Sequence, residues 1–196
     1  GNSTGKVINK GQITAAEGGY VALLGQEVIN QGVVTARLGT VAMGAGSAVT
    51  LSFNNSSLVN IEVDESTLQT LVDNRQLVVA DGGQVFMSAG ARDSLVASAV
   101  NNTGVVQAQT VQQKDGKIVL LGGMEAGTTT VAGTLDASAA TGGNGGFIET
   151  SAGKVKVAAG AQVTTQANNG KTGTWLIDPT DFTISAGGAP QSDSGM

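Results

Sequence analysis

The sequence predicts an all-β fold, a parallel β-helix in which each coil contributes three strands to a stacked solenoid. Two short sequence patterns alternate along nearly the whole chain, each with the period of two that marks a strand with one buried face. Gly accounts for 30 of the 196 residues, which indicates many tight corners. Aromatic residues make up only 3%, so the core must consist of small aliphatic side chains.

The first pattern reads Asn-x-Gly-x-(Ile/Val)-x-Ala and predicts a short strand that follows a corner. Asn and Gly tolerate the backbone angles that such a corner requires. Clear copies begin at Asn9, Asn30 and Asn102, and degenerate copies begin at Asn74, Gly133 and Ala161.

The second pattern, Gly-x-(Val/Ile)-x-(Leu/Met), predicts the next strand and follows each copy of the first after 7 to 13 residues. Its Gly lies at positions 19, 39, 83, 116, 146 and 173, and the last two copies fit loosely. A third apolar stretch often follows, at residues 28–29, 48–53, 155–157 and 182–184. Three strands in a constant order predict a triangular coil.

Stacked coils would place equivalent residues directly above one another, so ladders of like side chains are expected. The predicted interior ladders are Val21, Val41, Val85, Ile118 and Ile148, and Leu23, Met43, Met87 and Leu120; the predicted corner ladder is Asn9, Asn30, Asn74 and Asn102. An antiparallel sandwich with Gly-rich turns is the alternative. It would not preserve two unequal patterns in the same order six times.

One insertion interrupts the repeats, because 44 residues separate Gly39 from Gly83. We expect an excursion at about residues 54–73. Apolar groups at i, i+3 and i+4 favour a short helix over residues 65–73, started by Asp64 and Glu65.

A second helical turn is predicted over residues 91–99, where Leu95, Val96 and Ala99 would share one face. The solenoid is predicted to occupy residues 1–185. Residues 186–196 are predicted to form a disordered tail.

Composition excludes several classes of function. The net charge of −5 and a pI near 4.5 argue against nucleic acid as a partner. Cys and His are absent, which removes disulfides, thiolate zinc sites and the usual neutral-pH general base. We therefore expect no catalytic, cofactor or metal site. No apolar run approaches 18 residues, so no transmembrane segment is predicted. The chain begins with Gly1, and we expect it to be a piece of a longer protein.

Several segments resemble the filamentous haemagglutinin-like exoproteins of two-partner secretion, which are large adhesins. These segments read VINKG with AAEGGYVALL, then ADGGQV, then GGNGGFIETS, and finally TWLIDPTDFTI at residues 174–184. The last resembles the segment that ends the N-terminal region in many of these adhesins. The resemblance covers about residues 5–185.

The resemblance implies a right-handed parallel β-helix that is secreted and displayed on, or released from, a Gram-negative cell surface. It also implies an outer-membrane β-barrel transporter as partner; a host receptor or glycan is not indicated. The family's secretion signal carries an Asn-Pro-Asn-Gly type motif, and this sequence contains no Asn-Pro pair. We therefore expect the chain to follow that signal as part of the shaft.

Four features are candidate sites, each with a structural alternative. Asp178 and Asp181 flank Pro179 and suggest a carboxylate dyad or cation site, whereas turn chemistry favours an Asp-Pro turn between two strands. Residues 142–146, GGNGG, hint at a calcium nonapeptide or phosphate loop, but lack the required Asp and Lys-Ser/Thr, which favours a flexible corner. Trp175 could stack on a sugar, although its alignment with the Val ladder favours packing.

Asn-x-Ser/Thr triplets are the fourth feature, and they begin at Asn2, Asn54, Asn55 and Asn101. Some adhesins of the resembled family are glycosylated at such triplets. Chance is the simpler explanation in a chain so rich in Asn, Ser and Thr.

Three classes of function follow from this reading. The leading hypothesis is a non-catalytic structural segment of a secreted adhesin. The second is a polysaccharide lyase or hydrolase, which needs converging charged groups, whereas the 15 acidic and 10 basic residues here are scattered. The third is a module that captures haem or a host glycoprotein, with a protein-binding loop at residues 54–73.

Overall fold

A computed structural model describes residues 5–55, 57–65, 69–90 and 97–184 of the chain. Within these residues the regular secondary structure is entirely β, without a helix. In chain order the strands are β1 (Lys6–Asn9), β2 (Gln12–Thr14), β3 (Tyr20–Gly25), β4 (Glu27–Asn30), β5 (Val33–Thr35), β6 (Thr40–Ala45), β7 (Ala48–Asn54), β8 (Ser57–Glu65), β9 (Gln69–Asn74), β10 (Leu77–Val79), β11 (Gln84–Ala89), β12 (Ala97–Asn102), β13 (Val105–Gln107), β14 (Lys117–Leu121), β15 (Thr128–Val131), β16 (Thr134–Asp136), β17 (Phe147–Val157), β18 (Gln162–Thr164) and β19 (Thr174–Ile184).

Parallel pairing stacks these strands in three columns. The first column contains β1, β4, β9, β12, β15 and the second half of β17. The second contains β2, β5, β10, β13, β16 and β18. The third contains β3, β6, β11, β14 and the first half of β17, and β19 pairs along both halves of β17. The predicted parallel solenoid with three strands per coil is therefore confirmed.

The predicted interior ladders are also confirmed. The Val/Ile ladder and the Leu/Met ladder are aligned residue by residue along the third column. They pack against the inward residues of the other two columns, which include Val28, Val72, Val100, Val34, Val78 and Val106. Each of those six is fully buried, and burial of one such side chain contributes about 1.5–3 kcal/mol. The core is thus a continuous column of small aliphatic groups.

The Asn ladder lies where the first column ends, as the first pattern predicts. The Nδ2 of Asn9 donates to Oδ1 of Asn30 at 2.8 Å, and the Nδ2 of Asn30 donates to Oδ1 of Asn74 at 2.9 Å. Asn74 donates in the same way to Asn102 at 2.9 Å. The ladder ends there because Val131 occupies the equivalent position in the next coil.

Glycine is required where the second column turns into the third. A Cβ added to Gly83 would lie 2.0 Å from the carbonyl oxygen of Gly39, and a Cβ added to Gly173 would lie 1.9 Å from that of Gly146. The corner therefore brings backbones too close for any side chain. We call this stack of Gly39, Gly83, Gly116, Gly146 and Gly173 the glycine corner.

The insertion between the second and third coils is a β-hairpin, which corrects the predicted helix. Strands β7 and β8 pair antiparallel, from Ala48 with Glu65 to Asn54 with Ser57. The helix over residues 65–73 is wrong for residue 65 and for residues 69–73, which lie in β8 and β9; residues 66–68 are outside the described part. Asp64 and Glu65 end a strand and do not begin a helix.

Pairing with two neighbouring strands explains why the local helical pattern failed. Val72 lies between Val28 and Val100 in the first column, and all three are fully buried. Tertiary packing of this kind overrides a weak i, i+4 preference. The apolar residues 48–53 likewise form β7 of the hairpin and not the predicted third strand of a coil.

The second predicted helical turn is wrong where it can be compared. Residues 97–99 begin β12, which pairs with β9 and β15 in the first column. Residues 91–96 lie outside the described part, and so does the predicted tail at residues 186–196.

Candidate functional site

The outer face of the third column is apolar where the hairpin covers it. Ala42, Phe86 and Val119 alternate with the interior ladders and therefore point outward. They pack against Leu58 and Ile61 of β8, and all five side chains are buried. The hairpin is held to the solenoid by this second, smaller core.

Lys117 lies beside the hairpin-covered face and is held by two aromatic rings. Its Nζ is 5.7 Å from the centroid of the Phe86 ring and 5.9 Å from that of Phe147. An ammonium group at this distance is attracted by the ring faces. The ion pairs among the described residues are Lys6 with Glu27 and Arg75 with Asp73, so Lys117 has no carboxylate of that part within 4.0 Å.

Two cavities meet at this lysine. One, of about 310 Å³, runs along Gly39 and Gly83 beneath the start of β8. The other, of about 450 Å³, runs along Gly146 and Gly173. Asp115 and Lys117 line both cavities, which therefore lie next to each other beside the glycine corner. We call the two cavities together the Lys117 groove.

The charges that line the Lys117 groove are suited to an anion. Lys117 and Lys171 oppose one carboxylate, Asp115, so the groove carries a net positive charge in an acidic chain. Gln84 lines the first cavity, and Asn144 and Thr172 line the second. Across the described residues no cluster of three or more His, Cys, Asp or Glu could hold a metal ion.

This groove was not predicted from the sequence, although the repeats carry a signal for it. Lys117 and Phe147 each follow the corner Gly of the second pattern by one residue, so stacking places them in adjacent strands. Phe86 follows Gly83 by three residues and also points outward. Aligning outward positions as well as inward ones would have predicted a lysine between two aromatic rings.

β19 is assigned as one strand through both acidic residues, but Asp178 and Asp181 flank the point where it passes from the third column to the first, since Asp178 pairs with Ser151 and Asp181 with Lys154. Pro179 pairs with Ala152, and Asp181 pairs with Lys154, so β19 is paired with β17 on both sides of the proline. Proline lacks the N–H that a central strand needs, and β19 is an edge strand of the described sheet. Asp178 is exposed, and the side chain of Asp181 lies outside the described part, so a dyad is untested.

Trp175 continues the Val/Ile ladder at the last coil. It pairs with Ile148 and packs against the interior cluster while staying half-buried. Its Nε1 donates to Oγ1 of Thr150 at 3.1 Å, so the indole is anchored to the coil next to it. This placement agrees with a packing role.

The remaining candidates lie apart from the groove or at its rim. Gly142 and Gly143 have φ of 128° and 93°, as expected for a Gly-rich corner; its flexibility stays a prediction. Asn54 and Asn55 lie exposed at the end of the hairpin, and Asn101 lies half-buried in β12. Asn2 is outside the described residues.

The comparisons with known proteins give a structural similarity but no match in sequence. No family model matches the chain, and no curated protein matches it. The chain is similar in structure to the HMW1 secretion domain from Haemophilus influenzae, with a TM-score of 0.43 and 15% sequence identity. The alignment covers 92% of this chain and 66% of that chain, slightly less than two thirds of its length. In the described part of this chain, no helix has the length and apolar character needed to cross a membrane.

Proposed function

We propose that the chain is a non-catalytic structural segment of a secreted surface adhesin that is exported by two-partner secretion. The observation that carries the proposal is the register of the coils. Repeats of unequal length still align like residues in three columns, and four Asn side chains bond in a chain. Coils that bind only their neighbours build a shaft whose function is extension and display.

The secretion route and the partner come from the sequence segments that resemble filamentous haemagglutinin-like exoproteins. In this proposal the coils wind right-handed, as parallel crossovers usually do. The partner is an outer-membrane β-barrel transporter, and the parent protein reaches the surface of a Gram-negative cell. A host receptor would be bound by the parent protein.

Export is tested in the producing bacterium with an antibody against residues 5–184. We expect the antibody to label intact cells or the medium, and to label only the periplasm when the cognate transporter gene is deleted. Complementation with the transporter should restore surface labelling. Surface labelling that persists without the transporter would overturn the secretion route.

Catalysis is tested separately on the purified chain. Incubation with acidic and neutral polysaccharides should release no more reducing ends than a heat-inactivated control. Turnover that scales with protein concentration would overturn the non-catalytic role, whatever the export result.

A further inference from the structure

We propose that the Lys117 groove is a binding site for an anionic saccharide, with Lys117 holding a carboxylate of the ligand. The proposal concerns a site on the outer surface of the solenoid and does not depend on the route of export. It rests on the contacts of the Lys117 ammonium, on the residues that line the groove and on the length of the groove.

The ammonium of Lys117 lies near two aromatic rings and makes no ion pair within 4.0 Å among the described residues. Contacts with the faces of Phe86 and Phe147 restrict its position, yet a ring face accepts no full hydrogen bond. Within the described part of the chain, its three N–H donors have no hydrogen-bond acceptor. A cation that is held in place and shared by two cavities is available for an incoming carboxylate.

The lining favours a saccharide over an extended peptide. The backbone N–H groups of Gln84 and Lys117 already donate to Gly39 and Gly83 of the neighbouring coils. A peptide could not add a strand here, because the coils satisfy each other's backbone groups. The amides of Gln84 and Asn144 can bond with hydroxyls. The half-buried ring of Phe147 gives the apolar face of a sugar ring a surface to contact.

The length of the groove favours a linear chain of sugars. Equivalent residues in neighbouring coils lie about 4.8 Å apart. The glycine corner makes four such steps from Gly39 to Gly173, so the two cavities of the groove together span about 19 Å along the solenoid. Lys171 lies at the far end and can meet a second carboxylate of the same chain.

The test measures binding of trigalacturonic acid to the purified chain by isothermal titration calorimetry at low ionic strength. Lys117→Met removes the anchoring charge, and Lys156→Met removes an equal charge from an exposed position on β17, outside the groove. We expect Lys117→Met to weaken binding about tenfold or more, and Lys156→Met to change it by less than about twofold. Lys117→Arg should retain most of the affinity. Lys171→Ala, at an exposed position, provides a second groove variant if Lys117→Met fails to fold.

Several outcomes would overturn the proposal. Absence of saturable binding to the wild-type chain would exclude the site, and equal weakening by Lys117→Met and Lys156→Met would indicate general charge attraction. Equal affinity for triglutamate would show that the groove accepts any acidic chain, including a peptide. Equal affinity for a neutral galactose trisaccharide, unchanged by Lys117→Met, would remove the role of the carboxylate.

Discussion

A central Asn of the ladder is bonded on two sides, whereas the end member is bonded on one. Asn74 accepts from Asn30 and donates to Asn102, both at 2.9 Å, and is fully buried. Asn9 donates to Asn30 and has no ladder partner before it among the described residues. Removing Asn74 therefore leaves two buried amide groups without their side-chain partners, and removing Asn9 leaves one.

We expect Asn74→Ala to lower the free energy of unfolding by about 2–4 kcal/mol and Asn9→Ala by about 1 kcal/mol. Urea titrations followed by circular dichroism would measure both. The two substitutions delete the same atoms, so their difference reports the second ladder bond of Asn74 together with its deeper burial and its bonds to the carbonyls of Gln76 and Val105. Equal losses would contradict a bonded network of side chains.

Close approach at the glycine corner predicts a second pair of residue effects. A Cβ on Gly83 would lie 2.0 Å from a backbone oxygen, whereas a Cβ on Gly160 would meet no atom within 4 Å. We expect Gly83→Ala to cost about 2–4 kcal/mol, because backbone must move. Gly160→Ala should be neutral or stabilise by up to about 1 kcal/mol. Thermal unfolding of both variants would measure the two stability changes. An unchanged midpoint for Gly83→Ala would contradict close backbone packing at the glycine corner.

These residue-level features differ in how far the sequence predicted them. The Asn ladder followed from repeated Asn-x-Gly segments, since identical spacing around the corner forces identical stacking. Lys117 was not predicted because its partners occupy outward positions of the repeats, whereas the predicted ladders came from the inward positions alone. Phe86 and Phe147 are its neighbours only through the register of three coils.

At the scale of elements, the sequence predicted an excursion at residues 54–73 but not a hairpin, because the need for a hairpin is encoded in the strands that it covers. In β3, outward Ala22 and Leu24 alternate with inward Val21 and Leu23, so both faces are apolar. A strand with two apolar faces requires cover on its outer side. The hairpin provides that cover, which the sequence of residues 54–73 alone does not indicate.

Burial against the hairpin-covered face predicts unequal effects of two neighbouring side chains on β8. Ile61 is 3% exposed and packs in the second core, whereas Val59 is 37% exposed. We expect Ile61→Ala to cost about 2–4 kcal/mol and Val59→Ala less than about 0.5 kcal/mol. Limited proteolysis of the hairpin should accelerate in Ile61→Ala only.

The same variant shows whether hairpin and solenoid unfold together. If the hairpin is a separate cover, Ile61→Ala should increase binding of a hydrophobic dye before the far-ultraviolet β signal is lost. Loss of both signals at one urea concentration would show that the solenoid requires its cover.

At the scale of the whole molecule, the sequence predicted that the coils stack in parallel, but not how burial differs between central and end coils. Six repeats in one order leave few alternatives to a parallel solenoid, because only coils in register bury every apolar face at once. The burial of core side chains varies along the axis, because a central coil is covered on both sides and an end coil of the described sheet on one. Val34, Val78 and Val106 are fully buried, whereas Ile13 and Val163 at the two ends are only half-buried.

Native-state hydrogen exchange should therefore be graded along the solenoid. The second column offers a matched set, because β2, β5, β10, β13, β16 and β18 each contain three residues. β10 is paired on both sides, whereas β2 and β18 are each paired on one side in the described sheet. A strand with one neighbour opens without breaking the stack, while opening β10 separates two coils from the rest. We expect exchange to be at least about tenfold slower in β10 and β13 than in β2 and β18, with β5 and β16 between them. Uniform protection across the six strands would show a single cooperative unit and contradict a solenoid held together only by nearest-neighbour contacts.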